Sequence, residues 1–61
     1  MIPDKVLEAA KRKSKLFKMP VHILNDGMNY FSVLDINIGI VLDSDYYPDK
    51  KVYTTVLYSE N

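Results

Sequence analysis

An α+β fold, one amphipathic N-terminal helix packed on a three- to four-stranded antiparallel β-meander, is predicted by two observations. Apolar residues recur with a helical period as far as Phe17, and beyond Pro20 the period changes to the alternation of strands interrupted by turn residues. The chain has 61 residues and carries no linker, repeat or low-complexity run, so the expectation is one domain over 1–61.

The helix is expected over residues 3–17. Ile2, Val6, Leu7, Ala10, Ser14 and Phe17 share one sector of a helical projection, and Asp4, Glu8, Lys11, Arg12, Lys15 and Lys18 share the other. Lys13 lies on the margin, where its aliphatic stem can cover the core. Pro3 suits the first helical position and Asp4 the positive end of the macrodipole, while Glu8 reaches Arg12 at i,i+4. Pro20 disfavours helical geometry at Met19 and sets the end of the helix.

Strands are expected over 20–25, 28–35, 37–42 and 51–58. Val21 to Leu24, then Asn25-Asp26-Gly27, then Met28 to Leu34 form a hairpin signal, because Asp-Gly accepts the positive φ that a tight turn requires. Ile36, Ile38, Ile40 and Leu42 alternate with Asn37, Gly39 and Val41, which suggests a third strand; a long, bent second strand bulged at Gly39 is the competing reading. Asp43 to Lys50 has the composition of a loop, and Val52 to Tyr58 is rich in β-branched and aromatic residues.

Both faces of this sheet read as apolar. Phe31 and Val33 oppose Tyr30 and Leu34, and Val52, Val56 and Tyr58 oppose Tyr53 and Leu57. A single helix covers one face, so the other is expected to be an interface, with a homodimer or a protein partner as its occupant. Size favours this, since a chain so short leaves much apolar surface wet, and the absence of cysteine removes disulfides and Cys-containing zinc sites as staples.

Eight Lys and Arg balance eight Asp and Glu, but unevenly. Residues 1–24 hold six basic and two acidic side chains, net +4, and residues 25–61 hold two and six, net −4. The basic run, with Lys11, Arg12, Lys15 and Lys18 on one helix, suits a phosphate backbone and gives nucleic-acid binding as the alternative function. The acidic half opposes it.

Catalysis is not expected. His22 is the lone histidine, on a strand, with Asp26 and Asp35 the acids nearest in sequence; no nucleophile elbow or glycine-rich phosphate loop accompanies it. Asp43, Asp45 and Asp49 lack the spacing and glycine of a calcium loop, so no metal and no cofactor is expected. There is neither a basic segment leading into an apolar core at the N-terminus nor an apolar stretch near 20 residues, which points to a cytoplasmic protein without a membrane span. The leading expectation is a small non-catalytic protein-interaction module, self-associating through a sheet face or edge, with Tyr46, Tyr47, Tyr53 and Tyr58 as contact residues.

Overall fold

The computed structural model describes residues 2–43 and 51–59. Its elements run α1 (Asp4–Phe17), β1 (Val21–Asn25), β2 (Tyr30–Leu34), a 3₁₀ turn (Asp35–Asn37), α2 (Ile38–Asp43) and β3 (Lys51–Val56). The α+β class and the antiparallel sheet are as the sequence predicts. The connectivity is not a meander: the strand order is β2-β1-β3, with β1 in the centre and antiparallel to both neighbours. β3 therefore crosses to the far side of β1 instead of pairing with β2, the strand before it.

Residues 37–42 are not a strand. Ile38 and Val41 are half-buried and Ile40 and Leu42 exposed, an i,i+3 pattern of helical burial. A short apolar run fits either period, and both edges of β1 are already occupied by β2 and β3. The segment closes instead as a 3₁₀ turn followed by a short helix lying against β2.

Helix α1 starts one residue later than predicted. Pro3 is the N-cap in extended geometry, and its carbonyl accepts from the amides of Val6 and Leu7. At the other end Lys18 adopts a left-handed conformation with φ 55°, and the amides of Lys18 and Met19 both donate to the Ser14 carbonyl, closing the helix ahead of Pro20. Ala10 and Ser14 are the buried residues of α1, one turn apart; both are small, so the helix axis approaches the sheet closely.

The register assigns the faces. Residues opposite one another in neighbouring strands point the same way, so Leu34, Val21 and Val56 form one row under α1, and Ser32, Ile23 and Thr54 the next. Ala10, Val21 and Ile23 are fully buried, with Ile2, Val6, Leu7, Tyr30, Leu34 and Val56 packed around them. On the opposite face the rows are Val33, His22 and Thr55, then Phe31, Leu24 and Val52. Leu24 is completely buried there and Val33 nearly so.

A bulge alters two assignments: Val52, expected on the side of Val56, lies with Leu24 on the face away from α1, and Tyr53 moves as well. Ile23 pairs with Thr54 but Leu24 with Val52, which leaves Tyr53 as the extra residue of β3. A residue inserted in this way shares the side of its neighbour instead of alternating. Tyr53 is thus turned to the α1 side with Val56, not away from it, and its ring meets that of Tyr30 edge-to-face at 5.3 Å.

Candidate functional site

Among the described residues, three places concentrate polar or exposed groups. The first is the outer edge of β3. Its residues are exposed except for half-buried Val56, and it ends the sheet among the described residues. Tyr53 is 53% exposed and Leu57, just past the strand, 75%; Tyr58 is half-buried. Tyr53 and Tyr58 therefore lie on or beside this edge, whereas Tyr46 and Tyr47 fall outside the described residues.

From Val52 to Ser59 there is no charged residue and no proline. Edge strands in soluble proteins are usually blunted by lysine, proline or a cover that prevents pairing with another chain. Among the described residues of this edge, Lys51 at the start of β3 is the one that serves that purpose.

The second place is His22, on the sheet face away from α1. Its Nε2 lies 2.7 Å from Asp35 Oδ1 and its Nδ1 2.9 Å from Thr55 Oγ1. The backbone explains the meeting. Thr55 is directly opposite His22 in the β1–β3 register, and the Asp35 amide donates to the Pro20 carbonyl at 3.0 Å, which holds its carboxylate at the same end of the sheet. The histidine side chain is 17% exposed, so it is a bonded residue of the sheet surface. The sequence pointed to Asp35 through proximity; Thr55 is 33 residues away and becomes visible only through the register.

A hydroxyl, an imidazole and a carboxylate in a row can relay a proton. His22 lines neither of the two grooves described below, however, and hydrolytic chemistry also requires a place for the reacting group beside the base.

The third place is the outer edge of β2. An open groove of about 470 Å³ is lined by Lys13, Phe17, Ser32, Val33, Leu34, Asn37, Ile40 and Val41. A second of about 340 Å³ borders it, sharing Lys13 and Ser32 and reaching Lys5, Ala9 and Tyr30. At their junction Lys13 Nζ donates to Ser32 Oγ at 2.8 Å.

The basic residues singled out for nucleic-acid binding, Lys11, Arg12, Lys15 and Lys18, are all exposed on α1. Lys11 lies 3.9 Å from Glu8, in place of the Glu8–Arg12 pair that the spacing suggested. Asp43 closes α2, while Asp45 and Asp49 fall outside the described residues. Among the described residues no cluster of three metal-ligating side chains forms, and no helix is long and apolar enough to cross a membrane.

Comparison with family models, with curated proteins and with solved structures finds no match to this chain.

Proposed function

We propose that the chain is a small, non-catalytic protein-interaction module of the cytoplasm that self-associates by pairing the β3 edge with the same edge of a second copy. The observation that carries this reading is the charge-free run from Val52 onward along the outer edge of β3, extended by exposed Leu57. Antiparallel pairing of two such strands joins two three-stranded sheets into one of six with two-fold symmetry, using up both β3 edges and leaving β2 at the two ends. It covers Tyr53 and Leu57, and it adds to a core that in one copy comprises Ala10, Val21, Ile23, Leu24 and Val33. The opposite edge is the poorer candidate, because Lys5 and Lys13 stand beside β2 and two copies meeting there would bring like charges together.

Light scattering over a range of concentrations tests this, with far-UV circular dichroism to establish folding. The expected mass is twice the 7.1 kDa of one chain, falling to one chain in Tyr53→Lys or Leu57→Lys with the fold retained. A monomer at every concentration, or a dimer indifferent to both substitutions, overturns the β3 interface. Salt-dependent oligonucleotide binding that is lost when Lys11, Arg12 and Lys15 become Gln would assign the function to α1 instead.

A further inference from the structure

We infer that the outer edge of β2 is a second, separate binding site, a trough that takes an extended acidic segment of a partner protein in antiparallel alignment with β2. The inference rests on reading the chain as an interaction module, but it uses the edge that self-association leaves open.

The location of the trough follows from its lining. Ser32 and Leu34 point toward α1 and Val33 points away, yet all three line the same groove, and side chains of both faces meet at one hollow only along a strand's outer edge. The facing wall is a row of α1 residues spaced four apart, Lys5, Ala9, Lys13 and Phe17, so one ridge of the helix runs beside the strand. From Lys5 to Phe17 the helix rises about 18 Å over twelve steps, and from Tyr30 to Leu34 the strand advances about 14 Å over four. The helix ridge therefore flanks the whole strand, whose length takes an extended segment of five residues. Among the described residues no strand pairs with this edge, and backbone pairing along Ser32 to Leu34 is how an added strand is held.

The lining also dictates what the segment carries. At the Leu34 end it is mainly apolar, with Phe17, Ile40 and Val41 beside Asn37. Toward Tyr30 its charged members are Lys13 and then Lys5, and among the described residues no carboxylate lines either groove. The Lys13 ammonium gives one of its three hydrogens to Ser32 and retains two donors for an incoming carboxylate. In an antiparallel partner, the residues on the α1 side are those opposite Leu34, Ser32 and Tyr30. The first is apolar and the next two are acidic: an apolar residue, any residue, Asp or Glu, any residue, Asp or Glu, from N- to C-terminus.

The test uses fluorescein-labelled peptides with Leu-Thr-Glu-Thr-Glu at their centre, read by anisotropy against the full chain. Otherwise identical peptides carrying Gln or Lys in place of both Glu are the controls. The expected order is Glu, then Gln, then Lys. Lys5→Gln and Lys13→Gln, both substitutions of exposed residues, should each weaken the Glu peptide about two- to fivefold, the range of a solvent-exposed ion pair, and leave the Gln peptide unchanged. Equal binding of the Glu and Gln peptides, no binding of either, or indifference to both lysine substitutions overturns the proposal. So does a change in the protein's own mass on losing Lys5 or Lys13, which would make a second copy the occupant. A monomer that binds the Glu peptide keeps the trough and loses the β3 dimer, whereas a dimer that binds no peptide does the reverse.

Discussion

Asp26 organises the hairpin between β1 and β2. Its Oδ1 accepts the amides of Met28 at 2.9 Å and Asn29 at 2.8 Å, while Asn25 Oδ1 accepts the amide of Gly27, which sits at φ 99°. The backbone amides of Asn29 and Met28 hold the Asp26 carboxyl below its ordinary value, because they bond the charged form better than the neutral one. A carboxyl lowered in the folded state stabilises the fold above the ordinary carboxylate range, and that contribution is lost as pH falls through the lowered value. Asp26→Asn keeps an acceptor without the charge. Its stability deficit against the wild type, followed by thermal melts from neutral pH downward, should therefore shrink steadily below about pH 4. A deficit independent of pH would remove the carboxylate's role. Ser14 presents the opposite case, since its hydroxyl is buried with no partner among the described residues. Replacing it with Ala removes an unsatisfied polar group and improves helix propensity, a gain of about 1 kcal/mol that a melt should show as a rise of roughly 4–8 °C. Both residues were legible in part. The Asn-Asp-Gly run announces its turn, but the serine's lack of a partner emerges only once α1 is docked.

At the scale of elements, α1, the β1–β2 hairpin and the last strand were written plainly in the sequence, because each has a period and a terminator: Pro20 after α1, Asp26-Gly27 between the strands. The segment after β2 was not. Ile36, Ile38, Ile40 and Leu42 alternate as a strand would, and what decides against it is pairing, since β1 has two edges and Tyr30–Leu34 and Lys51–Val56 take both. The bulge at Tyr53 was illegible for a related reason: nothing in Val-Tyr-Thr-Thr-Val marks the inserted residue, and one insertion moves a side chain to the other face. Asp35 fixes where the misread segment begins. Its amide bonds Pro20 and its carboxylate accepts from His22 Nε2, so the 3₁₀ turn and α2 leave the sheet from a pinned corner. Asp35→Ala removes the carboxylate bond and should lower stability by about 1 kcal/mol, while Asp35→Asn, which retains an oxygen for Nε2–H, should cost less. Equal losses in the two variants, measured by denaturant unfolding, would mean that the bond to His22 contributes nothing.

For the molecule as a whole, helix and sheet divide the work of burial unequally. Helix α1 lies chiefly over β1 and β2 and touches β3 less, so the sheet is thickest at the edge flanked by Lys5 and Lys13 and thinnest at the uncharged one. The tyrosine-rich composition pointed to an interaction surface, but neither the uncovered β3 edge nor the grooves beside β2 could be read before the strand order was known. Under the proposed pairing, that asymmetry makes stability and assembly one quantity. If β3 pairs with its copy, the dimer binds the folded state and not the unfolded one, so mass action raises the melting temperature as protein concentration rises. The wild type should show this dependence between micromolar and millimolar protein. Leu57→Lys should abolish it, giving a melting temperature that is flat with concentration and converges with the wild type's at the dilute end, because Leu57 is 75% exposed within one copy and its loss costs the isolated fold little. A wild type whose melting temperature ignores concentration would mean that a single copy is stable without its neighbour, and the uncharged β3 edge would then have to be guarded by something other than itself.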